Sequence, residues 1–268
     1  MNWEIPGYAA AVLMGLSLGL MGGGGSILTV PILVYLFGMD AVTATGLSLF
    51  IVGATSGVGL LSHHRQGNVQ WRAAAAFGLA SITSVYATRH WLVPALPDPI
   101  LRAGAATLGK DTAILGLFAV MMLASAWRMI RGRQPAPAVA PVQHNTASLL
   151  LTGMGVGLLT GVLGAGGGFL IVPALVLLAR MDMKQAVGTS LFIITANALI
   201  GFLGDRQVHL ADHIPLLVPF LALAVLGILA GSMLAKHVDS RHLRPAFGWF
   251  ILAMGTYILM HELYTLNG

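Results

Sequence analysis

Two runs of glycine, at residues 22–26 and 164–168, are the parts of this chain best suited to bind a solute. Each run interrupts a long apolar stretch, residues 8–37 in one case and 147–179 in the other. Glycine lacks a Cβ, so a contiguous run lets the backbone leave helical geometry and turn tightly. The helix that restarts after such a break presents free N–H groups and the positive end of its dipole, and both favour an anion. We therefore predict a site for a small anion at the two breaks.

The predicted backbone donors are Gly24, Gly25, Ser26, Gly166, Gly167 and Gly168. An alternative is that these glycines only allow helices to pack closely, as small residues do throughout membrane bundles. Packing motifs space their small residues along the helix, whereas these glycines are contiguous, which favours binding.

Polar side chains inside the apolar segments supply a second set of candidates. Ser48 and Thr55 are seven residues apart, as are Ser190 and Asn197, so each pair shares one face of a helix. Hydroxyl and amide groups donate hydrogen bonds to the several acceptor oxygens of an oxyanion. Serine and threonine can instead bond to their own helix, which leaves Asn197 as the stronger candidate.

Charged residues near the segment ends each have two possible roles. Arg65 and Arg206 could attract an anion at the two entrances, or could simply extend to the membrane interface. The pair His63-His64 could carry protons, although exposed loop histidines are usually inactive. Asp40 and Asp182 each precede an apolar segment, and we interpret them as helix N-caps.

No catalytic or metal-binding pattern accompanies these residues. The sequence contains no HExxH motif, no phosphate-binding GxxxxGK[ST] loop and no cysteine. We therefore predict that the protein is not an enzyme and that it needs no cofactor and no metal.

The composition indicates where these residues must work. Hydrophobic residues make up 57% of the 268 residues and charged residues 9%, with a mean hydropathy of +0.85. A soluble domain has roughly a quarter charged residues, so a soluble enzyme, a nucleic-acid-binding module and a disordered chain are excluded. The net charge of +5 is scattered rather than clustered, which argues against a nucleic-acid partner. The sequence predicts an all-α polytopic membrane protein. Its six ordinary spans are predicted at residues 44–61, 71–93, 112–130, 186–203, 215–235 and 245–264.

The two glycine runs belong to an internal repeat. Residues 22–50 align with residues 164–192 at an offset of 142 positions without a gap, and 16 of the 29 pairs are identical. The shared residues include an aspartate, a proline and the glycine run, which common apolar composition does not explain. Internal repeats of this size are typical of secondary transporters.

The distribution of positive charge favours inverted repeats. If each broken segment is a hairpin that returns to the side from which it came, the fourteen Lys and Arg residues divide 10 to 4 between the two sides. If each broken segment crosses once, they divide 8 to 6, so the positive-inside rule favours hairpins. We predict two inverted repeats, each a glycine-broken helical hairpin followed by three transmembrane helices. Residues 1–130 form the first repeat, 131–146 a cytoplasmic linker and 147–268 the second repeat, with both termini extracytoplasmic.

The repeated motifs resemble a known family. GGGGSILTVP (residues 22–31) and ATGLSLF (44–50), with their copies GAGGGFLIVP (164–173) and AVGTSLF (186–192), are similar to the TauE/SafE sulfite exporter family over essentially the whole chain. The resemblance implies an inner-membrane permease for sulfur-containing anions such as sulfite, thiosulfate or organosulfonates, with sulfite export as its best-known role. Residues 101–112 depart from the repeat because they carry charge where the second half continues directly into its last span.

These observations predict a secondary transporter that moves a small sulfur-containing anion by alternating access. An anion channel would share the broken helices, and a membrane component that hands sulfur compounds to a partner would share the composition. No ATP-binding motif is present, so the energy would come from a gradient or a partner. The sequence leaves open the identity of the anion, the direction, the coupling ion and the oligomeric state.

Overall fold

The structure is a computed structural model, and it describes residues 4–103, 106–131, 146–179, 181–235 and 240–267. The described chain contains ten helical segments, five in each half. The first half contains α1 (Glu4–Met21), α2 (Gly24–Leu36), α3 (Ala41–Arg65), α4 (Trp71–Ala87) and α5 (Lys110–Arg131). The second half contains α6 (Thr146–Leu163), α7 (Gly168–Leu178), α8 (Met183–Gly204), α9 (Ile214–Leu234) and α10 (Ser240–Asn267).

Several shorter elements complete these helices. A π-helical turn (Thr88–Leu92) and a short helix (Val93–Ala95) extend α4, and a 3-10 turn (Leu210–His213) precedes α9. Within α2, a 3-10 turn (Gly24–Leu28) leads through Thr29–Pro31 into a π turn (Ile32–Leu36).

Apolar composition explains why these helices can lie in a bilayer. Four of them are long and apolar enough to cross a membrane, at Ala41–Arg65, Lys110–Trp127, Lys184–Gly204 and Leu210–Leu234. The two other predicted spans, residues 71–93 and 245–264, also fall on helix, in α4 with its extension and in α10. The prediction of a helical membrane protein is confirmed.

A short ribbon is the exception to the all-α prediction. Strands β1 (Leu101–Ala103) and β2 (Ala106–Leu108) pair antiparallel just before α5. In the second half α10 is continuous from Ser240, so the two halves differ at the place where the sequence repeat is interrupted.

Helices of one half pack on helices of the other. The first helix of each half lies on the fourth helix of the opposite half, α1 on α9 and α6 on α4. Gly15 of α1 contacts Ala224 and Gly19 contacts Ile228, so α1 and α9 run in the same direction. In the other pair, Gly153 contacts Phe77 and Gly161 contacts Thr88. Glycine allows both close approaches because a Cβ at any of these positions would overlap the partner helix.

The two third helices, α3 and α8, lie side by side in opposite directions. Gly46 lies against Val208, just beyond the end of α8, and Gly59 against Leu191, near its start. Between them, a Cβ at Gly53 would lie 2.8 Å from Leu199 Cδ2, and a Cβ at Gly57 would lie 3.5 Å from Thr195 Cγ2. This antiparallel pair forms the centre of the molecule, and α5 packs on α10 beside it.

The predicted cytoplasmic linker, residues 131–146, lies outside the described residues except for Arg131 and Thr146. Its cytoplasmic position and the division of the chain into two repeats at residues 130 and 147 remain predictions.

Candidate functional site

The first glycine run ends α1 and turns the chain back on itself. Gly22 has a φ of 75°, a left-handed conformation that glycine adopts without strain and that stops the helix after Met21. The Ser26 hydroxyl donates a hydrogen bond of 2.8 Å to the Gly23 carbonyl and so stabilises the turn. Beyond it, Gly25 packs on α1 at Ser17.

The returning segment then follows α1 in the opposite direction. Phe37, just past the end of α2, lies against Tyr8 near the start of α1, with 5.3 Å between ring centroids. Since Gly25 lies against the last part of α1 and Phe37 against its first part, α1 and α2 form a hairpin.

The second glycine run also begins with a left-handed glycine, but it contains two more of them. Gly164, Gly166 and Gly167 have φ values of 67°, 63° and 72°, and α7 begins immediately afterwards. No side chain caps the start of α7, and the amides of Leu170 and Ile171 both donate to the Gly167 carbonyl. A helix start without a side-chain cap leaves its first N–H groups available to a solute.

The two breaks meet. Gly23 and Gly168 lie backbone against backbone, so close that a Cβ at Gly168 would lie 2.8 Å from the Gly23 oxygen. Gly166 is flanked by Val52 of α3 and Ile194 of α8, which would lie 2.6 and 3.1 Å from a Cβ there. The six predicted backbone donors are all buried, and the breaks that contain them are in direct contact. Within that group Gly25 and Gly167 face their own first helices, at Ser17 and Thr160.

The predicted polar side chains are buried on the central helices. Ser190 lies beside the first break, since a Cβ at Gly22 would lie 3.1 Å from the Ser190 Oγ. Its hydroxyl donates to the Val187 carbonyl at 2.8 Å, the bond to its own helix that we gave as the alternative. Ser48 and Thr55 are fully buried, and their hydroxyls have no partner among the described residues.

Asn197 pairs with a residue of another helix. Its amide Nδ2 donates to the Ser81 hydroxyl of α4, and its Oδ1 has no hydrogen-bond partner in the described part of the chain. Ser190, Ile194 and Asn197 lie on one face of α8, because they follow one another at the spacing of helical turns. Asn197 therefore lies on the face of α8 that is directed at the glycine breaks.

The two predicted entrance arginines are far from this centre. Arg65 is exposed in the last turn of α3, and Arg206 is exposed just past α8. Because α3 and α8 are antiparallel, the two arginines lie at opposite ends of the pair. His63 is 7% exposed, whereas His64 is exposed and contacts Trp71.

The interpretation of Asp40 and Asp182 as N-caps is confirmed. Asp40 Oδ1 accepts a hydrogen bond of 2.8 Å from the Thr43 amide at the start of α3. Asp182 Oδ1 accepts one of 2.9 Å from the Gln185 amide at the start of α8.

A buried ion pair is the main feature that the sequence analysis missed. Arg89, in the π turn after α4, places its Nη1 3.0 Å from Asp205 Oδ2, and the two side chains are 0% and 3% exposed. Asp205 follows the end of α8 and also accepts the Gln207 amide at 2.8 Å. The signal was present, because Arg89 lies inside the predicted span 71–93, and an ionisable residue within a span is a functional candidate by default.

Further buried polar atoms were also overlooked. Thr29 in α2 and Thr160 in α6 are fully or nearly fully buried, and their hydroxyls have no partner in the described ranges. Both belong to segments that border a glycine break.

As to metals, no group of three or more His, Cys, Asp or Glu residues among those described could hold an ion.

Similarity to known proteins shows the family of this chain. Residues 8–258 match the family described as "Sulfite exporter TauE/SafE". The chain belongs to the TauE/SafE family. A relative from Xylella fastidiosa (strain 9a5c), described as "Probable membrane transporter protein", is 32% identical over 255 residues, covering 92% of this chain and 91% of the relative.

More distant relatives have similar descriptions. A "Probable membrane transporter protein" from Methanocaldococcus jannaschii is 23% identical over 266 residues, covering 93% of this chain and 94% of the relative. Another from Bacillus subtilis is 28% identical over 230 residues, covering 85% and 86%. No solved structure matches the chain. This TauE/SafE protein is thus a multi-pass membrane transporter, and the names of its family and relatives indicate transport rather than catalysis.

Proposed function

We propose that this protein is a secondary transporter that exports small sulfur-containing anions, such as sulfite, thiosulfate or organosulfonates, by alternating access. The observation that carries the proposal is the contact between the two glycine breaks, Gly23 against Gly168, in the buried centre. Two uncapped helix starts that converge offer backbone N–H donors to one solute, and such starts favour anions. The family description supports a sulfur oxyanion as that solute.

The substrate-binding residues in this proposal are those of the breaks and of the central helices. Backbone amides come from Gly24, Gly25, Ser26, Gly166, Gly167 and Gly168, and side chains from Ser48, Thr55, Ser190 and Asn197. The unpartnered hydroxyls of Ser48 and Thr55 support this assignment, because a buried hydroxyl without a partner is costly unless a solute or water satisfies it. Arg65 and Arg206 would attract the anion at the two entrances.

We further propose that the two halves are inverted repeats in the inner membrane, with both termini extracytoplasmic and residues 131–146 cytoplasmic. The packing supports this arrangement in two ways. At the repeat offset, Gly53 is equivalent to Thr195 and Gly57 to Leu199. Gly53 contacts Leu199 and Gly57 contacts Thr195, so exchanging the two halves turns one contact into the other. Equivalent helices that run antiparallel are what an axis in the membrane plane produces.

The tight packing of the two breaks supports alternating access. Even a methyl group at Gly23 would overlap the Gly168 backbone, so an anion can bind between the breaks only after they separate. Rocking of one half against the other would open this contact toward one side at a time. Export of an anion from a negative interior is favoured by about 2.3 kcal/mol per charge for each 100 mV.

Flux measurements in proteoliposomes that contain only this chain test the proposal. A transporter takes up sulfite or thiosulfate with saturation and exchanges internal for external anion in counterflow. Conductance that neither saturates nor supports counterflow would indicate a channel. Absence of flux for every sulfur anion would indicate a component that acts only with a partner, and either result would overturn the proposal.

A further inference from the structure

Arg89 has a guanidinium edge that its ion pair leaves unused. The side chain is fully buried, and Asp205 bonds only to Nη1. Nε and Nη2 are buried as well, and neither has a hydrogen-bond partner within the described ranges. A buried cationic donor without an acceptor carries a large desolvation penalty, so a binding partner for this edge would stabilise the protein.

The free edge has the geometry of an oxyanion receptor. Nε and Nη2 point their hydrogens to the same side of the planar guanidinium, and this fork bonds two oxygens of one anion at once. Such bidentate, charge-assisted bonds are shorter and stronger than neutral ones. Sulfite, thiosulfate and sulfonates each present two or more oxygens on one sulfur, which fits the fork.

The ion pair is also next to the second glycine break. Thr88, beside Arg89 in the chain, packs on Gly161, three residues before Gly164. On the other side, Thr45 of α3 contacts Gly164. The next residue, Gly46, lies against Asp205, because a Cβ at Gly46 would lie 2.8 Å from Asp205 Oδ2. Two neighbouring helices therefore bring Arg89 and Asp205 to the edge of the break.

The corresponding place in the other half has no such charge pair. Gly19 is equivalent to Gly161 and contacts Gly231, which lies at the repeat offset from Arg89. His63 lies at the repeat offset from Asp205, and it is buried without a hydrogen-bond partner in the part of the chain that the structure describes. The cationic fork is therefore specific to one of the two breaks.

We propose that the Nε/Nη2 edge of Arg89 is the cationic part of the transport site and binds the oxyanion as it passes the second break. This assignment rests on the proposed function and adds a residue to its site. Asp205 orients the guanidinium through Nη1 and balances its charge, so that the anion is held by the fork and can still leave. A net-neutral pair also lets the site exist in a bilayer when no anion is bound.

The discriminating variant removes both charges. Arg89→Gln alone would leave Asp205 buried and unpaired and could prevent folding, whereas Arg89→Gln with Asp205→Asn leaves no uncompensated charge. Purified protein in detergent is titrated with sulfite and, separately, with thiosulfate, and the anion-dependent rise in Tm is measured. We expect saturable stabilisation of the wild type and at least about tenfold weaker binding in the double variant, since bonds to a charged group are lost. Arg72→Gln, an exposed arginine at the start of α4, is the matched control and should bind as the wild type does.

A second variant covers the case in which the double variant does not fold. Arg89→Lys keeps the charge and can still pair with Asp205, but an ammonium has no planar fork, so we expect about tenfold weaker anion binding at unchanged basal Tm. The proposal is overturned if the double variant or Arg89→Lys binds both anions as tightly as the wild type, or if the wild type binds neither. Flux in proteoliposomes separates the two proposals. Transport by the wild type with full transport by the double variant rejects only the role of Arg89, whereas anion binding that depends on Arg89 without any flux rejects only the transporter function.

Discussion

Gly23 and Gly168 lie backbone against backbone, although they belong to different halves of the chain. The contact joins the two helix breaks and requires that neither residue carry a Cβ. It links the repeats at the proposed transport site, and it explains why Gly23 and Gly168 are glycine although their φ is not positive.

Gly23→Ala should therefore disrupt transport by contact alone. Gly23 has a φ of −126°, which any residue can adopt, so the added methyl causes no backbone strain and acts only through its overlap with Gly168. Overpacking of this kind costs about 1–3 kcal/mol. We expect transport in proteoliposomes to fall by about tenfold or more, the factor that 1.4 kcal/mol represents. The control is Gly155→Ala in α6, where a Cβ meets no atom within 4 Å. Wild-type flux in Gly23→Ala would mean that the breaks do not need this contact.

Gly167→Ala tests whether the backbone of the second break matters. Gly167 and Gly38 both have left-handed backbones, with φ values of 72° and 69°. An alanine costs about 1–2 kcal/mol in that conformation, so strain alone would affect both variants equally. A Cβ at Gly167 also overlaps Thr160 Oγ1, whereas one at Gly38 meets nothing within 4 Å. We expect Gly167→Ala to lose transport and Gly38→Ala to keep it.

A β-branched residue makes the same test more severe. Gly167→Val should abolish flux, and Gly25→Val should do so at the first break, because a Cβ at Gly25 would lie 2.5 Å from the Leu18 nitrogen. Size-exclusion chromatography establishes whether each variant is folded. Unaltered uptake by folded Gly25→Val and Gly167→Val would refute the model of an anion held by backbone amides.

Local features of the fold could be predicted from the sequence. The N-caps at Asp40 and Asp182 follow from a short-range rule, since a carboxylate bonds to an amide three residues later. The breaks at residues 22–26 and 164–168 follow from the backbone freedom of glycine, and the left-handed conformation that Gly22 shares with Gly164 follows from the repeat.

Contacts between the halves could not be predicted in this way. The pair of Arg89 with Asp205 depends on which helix of one half packs beside which helix of the other, and hydropathy carries no information about that choice. The same is true of the bond from Asn197 to Ser81. The π turn at Thr88–Leu92 was equally hidden, because an extra residue in one helical turn leaves the apolar pattern of residues 71–93 almost unchanged.

Asn197→Leu should weaken substrate binding more than Ser48→Ala. The leucine removes an amide that is held in place by Ser81 and whose Oδ1 has no protein partner, and it leaves the Ser81 hydroxyl without its bond. Ser48→Ala removes one hydroxyl that has no partner in the described residues, so its protein-internal cost is small. Titration with sulfite and thiosulfate, followed by the rise in Tm, measures both affinities.

Ser81→Ala separates positioning from binding at this place. It removes the partner of Asn197 and keeps the amide itself, so we expect affinity between those of the wild type and Asn197→Leu. Equal affinities in Ser81→Ala and the wild type would show that the bond does not orient Asn197. A larger loss of affinity in Ser48→Ala than in Asn197→Leu would contradict the prediction that Asn197 contributes more to substrate binding than Ser48.

The proposed orientation in the membrane can be tested by cysteine labelling, for which this chain, with no cysteine, is a clean background. Gln143→Cys lies in the same linker as Arg131 and Arg133, and the positive-inside rule places such a segment in the cytoplasm. Asn267→Cys lies past the last span, which the proposal places outside. In intact cells an impermeant thiol reagent should therefore label Asn267→Cys and leave Gln143→Cys unlabelled until the membrane is permeabilised. The opposite pattern would reverse the orientation and move Arg89 to the cytoplasmic side. Labelling of both sites in intact cells, or of neither, would place them on one side of the membrane and contradict the odd number of crossings that the hairpin arrangement requires.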